Sequence, residues 1–272
     1  MKKRRCRMLA VDLDGTVLTS HGELTPRTRR ALARCRARGV EVVLCTARPP
    51  RSATPHWRRM KLTTPLIAYD GAMVVEPSTG EVLLNRTMPG ILARKVLQEA
   101  RRVHPEMVIT FEIQDKWWTD ELGASIITRT AKEGFKPDVV CDLDACVTRP
   151  VTKILISRSV ETLDALERRL RRKLGKRLSV VRVEDYLLEM AAAGVSKAAG
   201  LKLVARRYGI KPSEVVAIGD GMNDIAMLKW AALGIAMGHA RDAVKRAADI
   251  VTASNDEEGV AKAIRAYVLR TT

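Results

Sequence analysis

Residues 8–16 read MLAVDLDGT, and this stretch decides the fold because a short apolar run ends directly in two aspartates. The run Met8–Val11 has the length and composition of a buried strand, and Gly15 permits the turn that follows it. Asp12 and Asp14 are costly at the end of an apolar strand unless a cation lies beside them. A divalent metal ion with a phosphoryl group would supply that reason, and a solvated polar turn is the alternative interpretation.

A second apolar run near the carboxyl terminus ends in the same way. Val215–Ile218 is followed by Gly219–Asp224, which reads GDGMND, and then by an apolar helical segment. This order again predicts a strand, a turn that glycine permits, and acids at the start of a helix.

Two more polar positions match this arrangement. Val42–Cys45 leads into Thr46, which places a hydroxyl where a third strand should end. Ser196 is a predicted N-cap, so Lys197 falls in the first turn of a helix, where the helix dipole disfavours a cation. That conflict indicates a role for the lysine's charge, with a solvated surface lysine as the alternative. Because ligands bind at the carboxyl ends of the strands in open parallel sheets, these elements together predict one site.

These motifs resemble those of the haloacid dehalogenase superfamily of phosphohydrolases, and the resemblance covers nearly the whole chain. In chain order the four motifs are Asp12–Thr16, Thr46, Lys197 and Gly219–Asp224. The long gap between the second and third motifs is similar to that of the Cof-type, or IIB, subfamily, in which a cap is inserted into the core. The resemblance implies an α/β fold with a doubly wound parallel-sheet core and an inserted α+β cap domain of the C2B type.

Two positions depart from the family's pattern. Ala47 stands where the family usually has the glycine of Thr-Gly-Arg, and Asp70 stands where it has the asparagine of Asn-Gly-Ala. The first change affects the backbone next to the phosphate, and the second alters the charge near the site. Neither change removes a catalytic group.

The order of the predicted elements supports a discontinuous core. In the last third of the chain helices and strands alternate with short links, which is typical of a parallel sheet covered on both faces. The middle of the chain mixes helices and strands, including a predicted helix over 121–133, which favours an antiparallel α+β module. We therefore predict a core of residues 1–84 and 191–272 and a cap of residues 85–190.

The resemblance implies a two-step hydrolysis of a phosphate ester. Asp12 would be the nucleophile that forms an aspartyl-phosphate, and Asp14 the general acid and later the base that activates water. The implied catalytic residues are Asp12, Asp14, Thr46 and Lys197; the implied substrate-binding residues are Thr46, Ala47, Arg48, Lys197 and Asn223; and the implied Mg²⁺ ligands are Asp12, the backbone carbonyl of Asp14, Asp220 and Asp224, the last directly or through water. Mg²⁺ is the expected ion because it is a hard cation that takes few carboxylates.

Selectivity is expected in the cap, where no motif identifies the substrate. Trp117 and Trp118 are adjacent on a strand, so at most one of them faces a substrate cavity. Arg48, Asp70 and Glu189 are further candidates for substrate contact, with surface or structural roles as the alternative. Sugar phosphates are the leading substrate class, with phosphoglycolate behind them.

The 272 residues carry a net charge of +17, a balance that attracts polyanions as well as phosphorylated metabolites. The arginine pairs are spread over several amphipathic helical stretches, which favours solvated outer faces over one nucleic-acid groove. Two Phe, four Tyr and four Trp leave few platforms for stacked bases. A polyanion- or nucleic-acid-binding protein on this scaffold stays as an alternative to the phosphatase, as does a phosphomutase, which uses the same nucleophile.

The five cysteines are odd in number and lack a metal-binding spacing, which favours reduced thiols in a cytoplasmic protein. The apolar run after basic residues 2–5 is too short for a signal peptide, and no stretch has the length that spans a bilayer. We expect a small phosphorylated metabolite as the partner and no membrane, and the sequence is silent on the oligomeric state.

Overall fold

A computed structural model describes residues 6–120 and 134–269 of the chain. The chain divides into two compact units, the first made of Met1–Leu83 and Ser196–Thr272 and the second of Leu84–Val195. The predicted boundaries after residues 84 and 190 differ from this division, the second because a strand of the second unit continues to Ala192. The predicted helix over 121–133 lies outside the described residues.

The strands and helices of the described residues are numbered along the chain. The strands are β1 (Met8–Val11), β2 (Glu41–Leu44), β3 (Leu66–Ala68), β4 (Met73–Glu76), β5 (Glu81–Asn85), β6 (Val108–Ile113), β7 (Lys116–Thr119), β8 (Val139–Val140), β9 (Lys153–Ser157), β10 (Leu178–Glu184), β11 (Leu187–Ala192), β12 (Val215–Gly219), β13 (Leu233–Ala236) and β14 (Ile250–Val251). The helices are α1 (Pro26–Ala37), α2 (Pro50–Arg59), α3 (Gly90–Val103), α4 (Leu143–Cys146), α5 (Val160–Leu174), α6 (Lys197–Arg207), α7 (Ile225–Trp230), α8 (Asp242–Ala247) and α9 (Gly259–Ala263), the last continued by a π-turn over Ile264–Val268. None of these helices combines the length and the apolar character that crossing a bilayer requires.

The first unit is built on a five-stranded parallel sheet in the order β14-β13-β12-β1-β2. Met8 of β1 lies opposite Val215 of β12 on one side and Glu41 of β2 on the other. Every residue of β1 and β12 is buried, as expected for central strands of a sheet covered on both faces. The predicted parallel α/β core is confirmed, and its two central strands are the ones that end in aspartates.

The apolar residues 65–69 predict one more strand, and the structure has it as β3, in a different sheet from the parallel strands. Leu66–Ala68 pairs antiparallel with β4 in a three-stranded sheet of order β3-β4-β5. A parallel bridge between Cys45 and Ile67 connects this small sheet to the end of β2. The Thr46 N–H donates to the Ile67 carbonyl at 2.8 Å, which fixes the backbone at the point where β2 ends.

Side-chain caps set the starts of α1 and α6. α1 begins after Thr25, whose hydroxyl accepts the N–H of Thr28 at 3.1 Å. In the same way the Ser196 hydroxyl accepts the N–H of Ala199 at 3.2 Å, so that Lys197 is the first residue of α6. Each cap satisfies an N–H group that has no partner within its own helix. The start of α6 agrees with the N-cap predicted at Ser196.

Two helices differ from their predicted bounds. The sequence predicts a helix over 52–61 that is interrupted at Pro55, whereas α2 begins at Pro50 and is continuous through Pro55. The sequence also predicts a helix from Asp256 to Leu269, whereas α9 begins at Gly259, because Glu258 has a left-handed backbone with a φ of 62°.

The second unit contains a six-stranded sheet in the order β10-β11-β9-β6-β7-β8. Its neighbouring strands are antiparallel, except that β7 and β8 run parallel. α3 and α5 pack on each other, and their apolar residues form one core with Ile109 and Phe111 of the sheet. This arrangement agrees with the predicted α+β module, although the short elements β8 and α4 have no clear pattern in the sequence.

The other face of this sheet is polar but buried. The period of two along a strand separates these residues from the apolar face. The buried polar residues on it are Thr110, Glu112, Thr119, Lys153 and Glu189. Trp117 and Trp118 alternate between the faces in the same way, because Trp118 packs against the core on the helix side while Trp117 lies opposite Glu112.

Candidate active site

The ends of three parallel strands bring the predicted polar residues to one edge of the sheet in the first unit. β1 and β12 are neighbours, so Asp12 and Asp220 leave the sheet at the same edge, and the Asp12 N–H donates to the Ile218 carbonyl at 3.1 Å. β2 lies on the other side of β1 and ends just before Thr46. Lys197 reaches the same edge from the start of α6. The four sequence motifs are therefore neighbours in space.

Lys197 is the centre of a buried charge network. Its side chain is fully buried, and its Nζ donates to Asp12 Oδ1 at 2.6 Å and to Asp224 Oδ1 at 2.7 Å. Burial alone would lower the pKa of Lys197, but the carboxylates of Asp12 and Asp224 outweigh burial and raise that pKa above its usual value. The lysine therefore keeps its proton and its positive charge.

The carboxylates around Lys197 carry more negative charge than this lysine balances. Burial raises the pKa of both Asp12 and Asp224, and Lys197 opposes that rise. The neighbouring carboxylates of Asp220 and Asp14 raise the pKa of Asp12 further. A cluster of acids that repel one another in a buried site favours the binding of an additional cation.

Asp224 holds the loop that carries Asp220. Its Oδ2 accepts the N–H groups of Asp220 at 3.0 Å and Gly221 at 2.8 Å, while its Oδ1 is bonded to Lys197. A Cβ atom on Gly219 would come within 2.5 Å of the Asp224 carboxyl carbon, so the close approach of this loop requires glycine there. Both oxygens of Asp224 thus have partners within the protein.

Three carboxylates form a group that can hold a metal ion. One oxygen each from Asp12, Asp220 and Asp224 lies within 4.8 Å of the others. Asp220 is oriented by the Thr16 hydroxyl, which donates to its Oδ1 at 2.8 Å, and by His239 Nε2, which lies 3.5 Å from its Oδ2. Hard carboxylate oxygens are the donors that Mg²⁺ prefers, so these residues fit that ion.

Arg48 binds Asp14 through a two-pronged ion pair. The Arg48 Nε donates to Asp14 Oδ2 at 2.7 Å, and Nη2 donates to Oδ1 at 2.6 Å. Arg48 is only 6% exposed, and its Nη1 also donates to the Ser52 hydroxyl at 3.0 Å. The arginine that the sequence suggests as a substrate ligand therefore holds the residue suggested as general acid.

Thr46 is fully buried next to this ion pair. Its hydroxyl oxygen accepts the Arg48 N–H at 3.1 Å, which leaves the hydroxyl proton available for another acceptor. Ala47 lies half-buried between Thr46 and Arg48. The segment from Thr46 to Arg48 is thus held in one conformation at the end of β2.

Asn223 and Asp70 are joined by a hydrogen bond between two loops. The Asn223 Nδ2 donates to Asp70 Oδ1 at 2.7 Å. Asp70 has a left-handed backbone with a φ of 56°, which aspartate adopts more readily than most residues do. Its charge also adds to the rise of the Lys197 pKa, after the larger effects of Asp12 and Asp224. The aspartate at position 70, where the family usually has asparagine, is therefore part of the charge network around Lys197.

The sequence motifs give no role to two residues of this site, and one candidate belongs to the second unit. Thr16 is part of the DLDGT stretch, so its place there is a signal that could have identified it. His239 has no such signal, because it approaches Asp220 from a loop outside every motif. Glu189 belongs to the second unit, where its Oε2 lies 2.5 Å from Lys153 Nζ.

Comparison with known proteins covers both units of the chain. The family model of the haloacid dehalogenase-like hydrolases matches residues 9–264. Two 5-amino-6-(5-phospho-D-ribitylamino)uracil phosphatases of Bacillus subtilis are similar: YitU is 29% identical over 96% of this chain and 97% of its own, and YcsE is 30% identical over 97% and 96%. A haloacid dehalogenase-like hydrolase from Bacteroides thetaiotaomicron has a crystal structure that is 31% identical and superposes with a TM-score of 0.84, over 96% of this chain and 99% of that one.

Proposed function

The chain belongs to the haloacid dehalogenase-like hydrolases, as a Cof-type phosphatase that hydrolyses phosphoric monoesters, and we propose that it acts on small phosphorylated metabolites through a phosphorylated Asp12. The observation that carries this proposal is the buried network in which Lys197 joins Asp12 to Asp224 at the edge of the parallel sheet. Phosphoryl transfer requires a nucleophile, a proton donor and positive charge against the phosphoryl oxygens, and this edge offers all three.

Asp12 is the proposed nucleophile. Its Oδ1 accepts the Lys197 hydrogen bond, and its Oδ2 makes no hydrogen bond to the described residues, which supports attack by Oδ2. In the first step Oδ2 bonds to phosphorus, the bond from phosphorus to the leaving oxygen breaks, and that oxygen takes a proton from Asp14. In the second step water attacks phosphorus and gives its proton to Asp14, while the bond from phosphorus to Asp12 breaks and releases inorganic phosphate.

Arg48 is proposed to act mainly on Asp14. Because both Asp14 oxygens are bonded to Arg48, the carboxyl group has a fixed orientation, and one oxygen must be released before it can carry and donate a proton. Thr46, Ala47, Lys197 and Asn223 are the remaining residues proposed to contact the phosphoryl oxygens. The free hydroxyl proton of Thr46 and the buried charge of Lys197 support this set.

Mg²⁺ is the proposed metal ion. The proposed ligands are carboxylate oxygens of Asp12 and Asp220 and the backbone carbonyl of Asp14. Asp224 contributes directly, through water or through the loop, since both its oxygens already accept hydrogen bonds. When bound, the ion would offset the negative charge of the phosphoryl group and of the carboxylate cluster. The excess of acids over cations in this cluster supports the assignment.

Sugar phosphates and related polyol phosphates are the proposed substrates, ahead of phosphoglycolate. The names of the two Bacillus subtilis relatives specify a phosphate on a ribityl chain, which is a polyol, and this supports the class.

The five cysteines are free thiols, which supports the proposed cytoplasmic location. A phosphomutase with the same nucleophile is the alternative within this chemistry.

The test is phosphate release from a panel of sugar and polyol phosphates by the wild-type protein and Asp12→Asn. We expect release by the wild type that requires Mg²⁺ and stops with a chelator, and a loss of roughly 10³-fold or more in Asp12→Asn. Asp256→Asn is the matched control, because Asp256 is an exposed carboxylate, hydrogen-bonded to Ser20, that does not belong to the carboxylate group of Asp12, Asp220 and Asp224.

Equal hydrolysis by the wild type and Asp12→Asn would show that Asp12 is not the nucleophile. Transfer of the phosphoryl group to a second sugar hydroxyl, with little inorganic phosphate formed, would identify a phosphomutase instead. Full activity of the wild type after removal of divalent ions would contradict the proposed Mg²⁺ site.

A further inference from the structure

Three arginines of the first unit line a cavity at the edge of the sheet opposite the proposed catalytic residues. Arg34, Arg38, Arg265 and Leu269 line an open cavity of about 420 Å³. Arg38 directly follows α1 and precedes the amino end of β2, whereas the catalytic residues follow the carboxyl ends of the strands. The cavity is therefore separate from the proposed active site.

Positive charge is concentrated around this cavity. α1 reads PRTRRALARCRA and contains no acidic residue. Arg34 and Arg38 are one helical turn apart and so share a face of the helix, a spacing at which like charges repel. Arg265 comes from the C-terminal helical segment, which packs against α1 and adds a third guanidinium. The first unit also holds most of the chain's excess positive charge.

Two of the three arginines have no counter-charge in the described part of the chain. Arg38 donates to the Leu269 carbonyl at 2.6 Å, which ties α1 to the C-terminal segment. Within residues 6–120 and 134–269, neither Arg34 nor Arg265 forms an ion pair or a side-chain hydrogen bond. Arginines of the second unit differ, since Arg171 and Arg182 are both paired with Glu167.

A purely structural role explains these arginines only in part. Cations are favoured near helix C-termini, because the dipole places about half a negative charge there. That effect favours Arg34 in the last turn of α1 and Arg265 in the last turn of the C-terminal helical segment, each on its own helix, and the Arg38 hydrogen bond satisfies the Leu269 carbonyl. It leaves unexplained why Arg34 and Arg265 line the same cavity, since two uncompensated cations repel each other.

We propose that this cavity binds a small ligand with a diphosphate group. One guanidinium group can donate two parallel hydrogen bonds to a phosphoryl group. Three arginines therefore match a ligand with more than one phosphoryl group. The volume lies in the range of small-ligand pockets, about 300–1,000 Å³, and well above the size of one phosphate ion. Leu269 adds an apolar wall for an organic part of the ligand, so inorganic pyrophosphate and a nucleoside diphosphate are the two sources to distinguish.

The test is calorimetric titration with pyrophosphate, with ADP and with a single-stranded RNA, each separately, in the presence of EDTA and at constant ionic strength. The variant Arg34→Gln with Arg265→Gln removes two guanidiniums and keeps Arg38, which has a structural contact. The matched control is Arg206→Gln with Arg207→Gln, which removes the same charge from two exposed arginines at the end of α6. Thermal unfolding of all three proteins establishes that they are folded.

We expect the cavity variant to bind the diphosphate roughly tenfold or more weakly than the wild type, and the control to stay within about twofold. Tighter binding of ADP than of pyrophosphate would identify the nucleoside diphosphate as the better source, and the reverse would identify the inorganic ion. Binding that is unchanged in the cavity variant, or equally weakened in the control, overturns the proposal. So does a single-stranded RNA that binds more tightly than either diphosphate and depends on the same arginines. Diphosphate binding is measured without phosphate-ester hydrolysis, so this proposal can be overturned while the proposed function holds.

Discussion

Each unit buries a lysine against carboxylates, and the two lysines differ in where they lie on their sheets. Lys197 lies beside the ends of the parallel strands, and its partners Asp12 and Asp224 come from loops that follow β1 and β12. Lys153 lies within β9, with Glu189 2.5 Å away and with Glu112 opposite it on β6. Both lysines are almost completely buried.

The difference shows that a buried charge network does not by itself indicate catalysis. Within a sheet the partners are fixed by strand pairing, and the desolvation of both charges cancels much of their attraction. At the ends of parallel strands the loops can surround a ligand with carboxylates and N–H groups, as the Gly219–Asp224 loop does around Asp224. We therefore associate the chemistry with Lys197 and a structural role with Lys153.

The largest effect is expected for Lys197→Met. This change removes the buried cation between Asp12 and Asp224, so kcat for phosphate release should fall roughly 10³-fold. The measurement is steady-state phosphate release with saturating Mg²⁺. Lys202→Met is the control, because Lys202 is exposed on the same helix. A loss of less than tenfold would show that this lysine is structural, like Lys153.

Lys153→Met should instead lower the free energy of unfolding, by about 3–5 kcal/mol, because it leaves a buried glutamate without its partner. Adding Glu189→Leu should restore much of that loss, since both charges are then gone. Urea denaturation measures the stability, and phosphate release is measured under conditions where the variant is folded. If kcat falls as far as in Lys197→Met, the contrast between the two units is wrong.

Arg48→Lys tests whether the buried arginine acts on Asp14 or on the substrate. Lysine cannot form the two-pronged contact to Asp14, so we expect kcat to fall about 10- to 100-fold with little change in KM. Arg58→Lys, at an exposed position of α2, is the control. A rise in KM at constant kcat would show that Arg48 contacts the substrate, as the sequence suggests.

The smallest effect is expected for Asp70→Asn. The amide oxygen can still accept the Asn223 hydrogen bond, so the change removes only a negative charge near Lys197. Inhibition by inorganic phosphate should become about two- to fivefold stronger, which corresponds to less than ~1 kcal/mol. Glu81→Gln is the control at an exposed position. Weaker inhibition would indicate that the charge of Asp70, beyond its hydrogen bond, orients Asn223.

The catalytic core could be predicted well from the sequence because its signals are local. The capped start at Ser196 and the strands that end at Val11 and Gly219 depend on neighbouring residues, and the structure has them at the expected places. The sequence could not tell that β3 pairs in a separate sheet or that α2 continues through Pro55, because strand pairing and packing override local preference there. The domain boundary near residue 190 depends on how far β11 pairs, which is likewise a property of the sheet.

By itself, the sequence determined that acids and a hydroxyl end the strands of a parallel core and that a lysine begins the helix after the inserted unit. These features follow from residue order, and they indicate phosphoryl chemistry. The tertiary structure alone decided that Arg48 binds Asp14, that Thr16 and His239 hold Asp220, and that Asp70 holds Asn223. Such pairs depend on which loops face each other across the sheet edge, and no local pattern encodes a contact between side chains as far apart in the chain as Thr16 and Asp220.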